Sequence, residues 1–400
     1  MRIVFLNPSG ALGGAETALI QVLAALREAR PGWTLTVIAS ASGPLLEETR
    51  RLGVSSLNLD FPPAVARLGE WGSRGSAAKR VQLAAALARA AIPALTYGAN
   101  LRRRLGALDP DVVHTNGLKM HLLGSRCAPA RSKVLWHLHD YPDARPLSAA
   151  LLRACATADT SMVANSKSVA ERARALFGRN IPVNTIYNAV DLGRFHPEGS
   201  RLDLDALCKL PPLAPGGLRV GLVATFARWK GHDVFLKALA SVRASVPVRG
   251  YVIGAPIYET QSSQFSLGDL QALATEAGVQ VGFTGRVDDV PAALRALDIV
   301  VHASVEPEPF GLVIAEAMAC GRAIVVSDAG GAAEIAQAGA LFHRPGDASD
   351  LADRLSSLIA DPALRQSLST AGREAALRLF GRARLAETLV PIYEGLATSA

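Results

Sequence analysis

The residue types richest in chemistry lie in the second half of the chain. Glu308 opens the string Glu308-Pro-Phe310-Gly311-Leu312-Val-Ile-Ala-Glu316. One carboxylate falls in a loop and the other in the helix that follows, so the two can reach different parts of an extended ligand. A carboxylate accepts well from a vicinal diol, and both ribose and hexose offer diols. The backbone N–H groups of Phe310, Gly311 and Leu312 stand where the helix begins and can bind oxygens as well. Upstream, Thr225-Phe-Ala-Arg228-Trp-Lys230-Gly231-His232 follows a strand-like run and precedes a helix. Two cations and a helix N-terminus converge there. A diphosphate leaving group needs that when it departs with its charge.

The first half offers less. Gly10-Ala-Leu-Gly13-Gly14-Ala-Glu16 lies between a strand and a helix. Such a loop presents free N–H groups that suit a phosphate. It is not GxGxxG, and no ribose-binding acid follows about 20 residues on, so a dinucleotide site is not indicated. Glu16 alone can be a partner of the helix dipole. The run Lys133–His139 ends in His137-Leu-His139-Asp140. Strand alternation puts His137 and His139 on one side. That spacing permits a metal, but no third ligand cluster is visible, and His139 is better read as a hydrogen-bonding partner of a substrate hydroxyl.

Strand ends must hold these residues. Strand-like runs at Arg2–Asn7, 33–39, 55–59, 111–115, 133–139, 160–164 and 183–187 alternate with helical segments. Asn165-Ser166 is placed to cap the helix Lys167–Phe177 with a side-chain oxygen. Residues 196–217 break the rhythm with prolines and glycines, and read as a linker around a short helix. A second set follows at 219–224, 249–253, 279–283, 299–303 and 323–327, with helices filling the remainder. This pattern predicts an α/β fold of two Rossmann-like, doubly wound domains facing a central cleft, with ligands at the carboxyl ends of the strands. The expected boundaries are 1–195, a linker at 196–217, a domain at 218–375, and a C-terminal helix at 376–400 packing back towards the first domain.

Charge is spread unevenly. Residues 1–200 hold 24 Lys and Arg against 14 Asp and Glu, whereas 201–400 hold 18 against 21. The excess peaks in the helical insert at 61–108, where Glu70 is the one acid. Within it, Ala77–Ala91 reads as an arginine-decorated helix, followed by Arg102-Arg103-Arg104. Such a patch calls for an anionic partner or an anionic membrane surface. Interleaved aromatics are missing, so nucleic acid is not an expected partner. Met1 leads directly into a strand, and arginines interrupt every apolar stretch, so neither a leader nor a membrane span is expected. The four cysteines form no CxxC pair and suit a reducing compartment.

Taken together, these strings resemble the retaining glycosyltransferase family 4, of group 1 and the GT-B fold. The likeness covers nearly the whole chain. It rests on Glu308–Glu316 within EPFGLVIAEAMACG, with support from Gly13-Gly14-Ala15-Glu16, His139-Asp140, Asn165-Ser166-Lys167, Tyr187-Asn188-Ala189-Val190-Asp191, Lys230-Gly231-His232 and Gly285-Arg286-Val287. The resemblance implies that Gly13 and Gly14 approach donor phosphate and acceptor. It further implies that His139 meets a donor-sugar hydroxyl, Lys230 the diphosphate, Glu308 and the amides after it the sugar, and Glu316 the ribose. The backbone at Arg286 and Val287 would meet the base. Two positions depart from the family pattern. Thr225 stands where an arginine is usual, with Arg228 as the candidate replacement, and Asn188-Ala189 replaces Asn-Gly.

The resemblance also implies a metal-independent hexosyltransferase without a cofactor. Its donor is a nucleotide diphosphate sugar and its acceptor a glycan or lipid-linked molecule. It would act in the cytoplasm, at the inner face of the membrane where the acceptor is a lipid, in bacterial envelope or extracellular polysaccharide synthesis. Asp109-Pro-Asp111 and Asp203-Leu-Asp205 match a DxD pattern but flank a strand and sit in the linker, and read as structural. A sugar-nucleotide epimerase on the same fold and a non-catalytic scaffold of a glycan pathway are the alternatives. The Glu308–Glu316 string disfavours the first, and the joint presence of His139, Lys230, Glu308 and Glu316 disfavours the second.

Overall fold

The computed structural model describes residues 1–68, 77–157, 160–178, 180–256, 263–337 and 339–398, with the backbone alone for 77–84. Glu70 lies outside the described residues, as do the side chains of Lys79 and Arg80. The chain divides into two compact units, Met1–Ala189 with Arg382–Ala400, and Val190–Gly381.

Unit 1 is built on β1 (Arg2–Asn7), β2 (Thr34–Ala39), β3 (Ser55–Asn58), β4 (Val112–Asn116), β5 (Lys133–Leu138), β6 (Thr160–Ala164) and β7 (Val183–Thr185). All pair in parallel, in the order β3-β2-β1-β4-β5-β6-β7. Both faces of the sheet are covered, which is why the strands read as continuous apolar runs. Ile3 and Phe5 point to one face, where the helices Gly14–Ala29, Pro44–Arg51 and Arg382–Thr398 close over them. Val4 and Leu6 point to the other, under Ala77–Leu108 and Leu118–Cys127. Further along that face Trp136 and Met162 pack beneath Pro146–Cys155 and Lys167–Phe177, whose first turn is capped by Ser166.

Unit 2 repeats the design with β8 (Leu218–Val223), β9 (Val248–Ile253), β10 (Val281–Gly285), β11 (Ile299–His302), β12 (Ala323–Ser327) and β13 (Ala340–His343), ordered β10-β9-β8-β11-β12-β13 and all parallel. Each sheet reverses its winding once, between β1 and β4 in unit 1 and between β8 and β11 in unit 2.

Several boundaries differ from those expected. β13 was not foreseen as a strand, because four residues between a helix and Arg344-Pro345 carry no clear period. β10 starts at Val281, not Val279, because Gly278 at φ +69° and the bond from Val279 N to Ala274 O round off the preceding helix. The basic helix runs through Pro93 to Leu108. The C-terminal segment is two helices, Pro362–Leu379 in unit 2 and Arg382–Thr398 in unit 1, split at Phe380-Gly381.

The proline-rich 196–217 segment folds with unit 2. Buried Arg295 donates to the carbonyls of Arg194, His196 and Ser200. Asp205 is buried and accepts from Arg219, Arg249 and Tyr251. Burial alone would push its carboxyl up, but the Tyr251, Arg219 and Arg249 donors hold it well below the usual range. The other DxD carboxylates are likewise engaged. Asp203 caps the helix Leu204–Leu207, Asp109 pairs with Arg2 and Arg131, and Asp111 accepts from the backbone of Arg2.

Candidate active site

A buried polar cluster of unit 2 stands at its winding reversal, where doubly wound sheets bind ligands. After β8 the chain makes a single 3-10 turn, Arg228–Lys230, and then enters the helix His232–Ser241. Gly231 makes this possible. Its φ is +70°, and a Cβ there would stand 1.9 Å from the carbonyl oxygen of Ala303. Only a residue without a side chain lets the loop after β8 lie against the end of β11. That contact brings Lys230 to Glu308, in the loop after β11.

Lys230 Nζ donates to Glu308 Oε1 at 2.7 Å. The other oxygen, Oε2, lies 2.6 Å from His302 Nε2 and accepts from Ser304 Oγ at 3.0 Å. Both side chains of the ion pair are largely buried, at 14% and 12% exposure. Burial opposes the charged form of Glu308, but Lys230 and His302 outweigh it and hold the carboxyl well below its ordinary range. The backbone fixes the loop too, since Gly331 N donates to Glu308 O. His302 and Ser304 were not singled out from the sequence. The available signal was their spacing, two apart at a strand end and therefore on one side, just before a carboxylate.

Phe310 is buried edge-to-face against Phe380, and Gly311, at φ +87°, caps the helix Leu312–Ala319. Glu316 lies partly exposed on that helix. Burial pushes its carboxyl up to about 8, with Arg194 pulling the other way. Two carboxylates on one motif are therefore pushed in opposite directions, Glu308 down by its partners and Glu316 up by burial. Arg228 turns elsewhere. Its guanidinium is stacked over Phe265, 4.3 Å from the ring centroid, while Lys230 faces Glu308. Arg286 is exposed and Val287 partly so, just after β10, whose last residue Gly285 takes φ +70°.

In unit 1 the reversal is flanked by the loop after β1 and the end of β4. Gly13 precedes the helix Gly14–Ala29, and Glu16 folds back on the turn, accepting from Gly13 N and from Asn7 Nδ2, both at 3.1 Å. Glu16 is thus a loop-closing residue as well as a first-turn acid. His137 and His139 do share a side, with ring centroids 4.0 Å apart, and His114 packs edge-on against His137. Burial holds His139 down to about 4 and His114 to about 3, so these imidazoles are neutral. His139 Nε2–H donates to Asn116 Oδ1 at 3.1 Å, which leaves Nδ1 as an acceptor for a hydroxyl. Asn188 is buried, with no hydrogen-bond partner for Oδ1 among the described residues.

Comparison with known proteins identifies the family. The family model for glycosyl transferases group 1 matches residues 213–375, and that for glycosyltransferase family 4 matches residues 12–194. The chain belongs to the family 4, group 1 glycosyltransferases. A phosphatidyl-myo-inositol mannosyltransferase of Mycobacterium leprae is 32% identical over 211 residues, 50% of this chain and 53% of that protein. A D-inositol 3-phosphate glycosyltransferase of Jonesia denitrificans is 30% identical over 248 residues, 58% of this chain and 56% of its own length. The matched stretch thus spans little more than half of these glycosyltransferases. Among solved structures, Anabaena HepE in complex with UDP-glucose shares the fold at a TM-score of 0.78 and 24% identity, covering 99% of this chain and 100% of that one. Sucrose-phosphate synthase from Thermosynechococcus elongatus does so at 0.77 and 20%, covering 100% of each. The GT-B architecture of this family member is therefore common to both.

Proposed function

We propose that the chain transfers a hexose, with retention of anomeric configuration, from a nucleoside diphosphate sugar to a hydroxyl of a glycan or lipid-linked acceptor in bacterial envelope synthesis. The observation that carries this reading is the Lys230–Glu308 pair at the winding reversal of unit 2, with the helix start at Phe310–Leu312 beside it. Lys230 takes the diphosphate and Glu308 a sugar hydroxyl. Glu316 takes the ribose diol, and the backbone at Arg286 and Val287 meets the base. Gly13 and Gly14 keep the phosphate-side role implied by the family likeness, and His139 acts as a neutral hydrogen-bonding group.

In the reaction, the bond from the anomeric carbon to the β-phosphate oxygen breaks, and a bond to the acceptor oxygen forms on the same face. The acceptor proton passes to the departing phosphate, so no protein nucleophile is needed. Lys230 and helix N-terminal amides stabilise the charge that develops there, the service a divalent ion gives in other transferases. The reading is of a cytoplasmic enzyme that needs neither metal nor cofactor. UDP-glucose is the first donor to test, because the HepE structures hold UDP and UDP-glucose. Phosphatidylinositol is the first acceptor to test, because one relative is named as a phosphatidyl-myo-inositol mannosyltransferase.

The test is acceptor-dependent release of UDP, with the anomeric configuration of the product read by NMR. An inverted product ends the retaining reading. Interconversion of the donor sugar without an acceptor would instead make the protein an epimerase.

A further inference from the structure

The helices on the two faces of the unit 1 sheet differ in charge. Gly14–Ala29, Pro44–Arg51 and Arg382–Thr398 mix five Arg with six Glu. On the other face, Pro63–Ala66, Ala77–Leu108, Leu118–Cys127, Pro146–Cys155 and Lys167–Phe177 carry twelve Lys and Arg against one acid, Glu171. Three of the described acids on the connecting segments are engaged. Asp60 accepts from Asn58, Asp109 pairs with Arg2 and Arg131, and Asp143 pairs with Arg172.

This basic face also exposes large apolar side chains. In Ala77–Leu108, Tyr97, Leu101 and Leu105 turn inward and are buried. The outward side carries Ile92 at 76% and Leu95 at 74% exposure, three residues apart and thus neighbours on the helix. Arg89 lies one turn before them and Arg102 and Arg103 two to three turns after, all exposed. On Pro146–Cys155, Leu147 and Leu151 are exposed one turn apart. Buried positions explain none of these four, and a helix in water gains nothing from presenting them.

We infer that this face of unit 1 docks on an anionic lipid bilayer, with Ile92 and Leu95 entering the headgroup boundary and the arginines around them meeting lipid phosphates. A bilayer offers an apolar layer beneath a sheet of negative charge, which matches apolar side chains ringed by cations. A second copy of the chain does not match. A two-fold contact centred on Ile92 and Leu95 would set the arginines around them against their own copies. Among the described residues no helix is long and apolar enough to cross a membrane, so the contact is one of lying on the surface. The inference rests on the surface of unit 1 and not on the proposed transfer chemistry, so either can fail without the other.

The experiment is flotation of the full chain with vesicles of phosphatidylcholine alone, or of equal parts phosphatidylcholine and phosphatidylglycerol. Binding is expected only to the anionic vesicles and falls as salt rises. Arg102→Gln with Arg103→Gln lowers the partition about 25-fold, at about fivefold for each charge removed near the surface. Ile92→Ser with Leu95→Ser abolishes it, and Arg50→Gln with Arg51→Gln, on the opposite face, leaves it unchanged. Equal binding to both vesicles, or none to either at low salt, overturns the inference from the wild type alone. So does a wild-type dimer in light scattering that Ile92→Ser dissolves, since the face would then belong to a second copy. Circular dichroism confirms that each variant is folded before its partition is compared.

Discussion

Nucleotide-sugar binding is expected to strengthen as pH rises across neutrality, because of Glu316. Its carboxyl is pushed up to about 8 by burial, against an ordinary value near 4.5. At pH 7 only about one molecule in ten carries the carboxylate, and ionising it there costs about 1.4 kcal/mol. A ribose diol that donates both hydroxyls requires the ionised form. The apparent affinity is therefore the intrinsic one scaled by the ionised fraction. UDP-glucose should bind about tenfold more weakly at pH 7 than on the plateau above 8, and about a hundredfold more weakly at pH 6. Its diphosphate is esterified at both ends and does not titrate in this range. Calorimetry from pH 6 to 9, repeated in buffers of different ionisation enthalpy, reads both the slope and the proton released, close to one per donor at pH 7. Glu316→Gln should flatten the profile. The same shift has a signed effect on the empty protein. The native carboxyl holds its proton where the unfolded one has lost it, so this stability is fully present below about 4.5 and lost as pH rises through about 8. A wild-type profile that is flat from pH 6 to 9, with no proton released, would refute the assignment of Glu316 to the ribose.

Three further outcomes follow from the same site. Lys230→Ala is expected to lower turnover by about a hundredfold or more, while Lys237→Ala, an exposed i,i+4 partner of Asp233, leaves it near wild type; Arg228→Ala with full activity would make the guanidinium over Phe265 a surface group and not a second phosphate ligand. Gly231→Ala should fail to fold or lose several degrees of melting temperature, because its Cβ meets the Ala303 carbonyl at 1.9 Å, and a wild-type melt would show that the loop after β8 does not depend on this close approach. Chelation with EDTA is expected to leave transfer intact; loss of activity restored by a divalent ion would count against charge neutralisation by Lys230 and helix amides.

The two doubly wound sheets were legible because parallel strands buried on both faces write themselves as apolar runs separated by turn residues. Ile3 to Leu6, Val220 to Leu222 and Ile299 to Val301 are such runs, all buried. Four-residue β13 at a sheet edge and the cap at Gly278-Val279 were not, since each depends on a hydrogen bond to a partner that the local pattern does not name. The site shows the same division. Lys230, Glu308 and Glu316 stand out by type and by their place after strands. That Lys230 meets Glu308 across 78 positions of sequence is decided by Gly231 packing on Ala303, a tertiary contact with no local trace. The same holds for Arg228, whose charge is plain in the sequence but whose direction is set by the ring of Phe265.

The resting pair has a consequence for what the site selects. Lys230 and Glu308 neutralise one another in a largely buried place. On the proposed reading both are also ligands of the donor, Lys230 for its diphosphate and Glu308 for its sugar, so binding must exchange one buried ion pair for two sets of contacts. A nucleoside diphosphate alone draws Lys230 away from Oε1, while His302 and Ser304 still hold Oε2. Removing one partner from a buried pair is costly, because the other charge keeps its desolvation penalty. A complete donor offsets that cost with sugar hydroxyls donated to the oxygen that Lys230 has released. The pair thus penalises the product more than the substrate, and does so without any group that touches only one of them. His302 and Ser304 matter to this argument because they hold Oε2 throughout, so that only Oε1 changes hands and the carboxylate stays aimed at the sugar while the lysine moves.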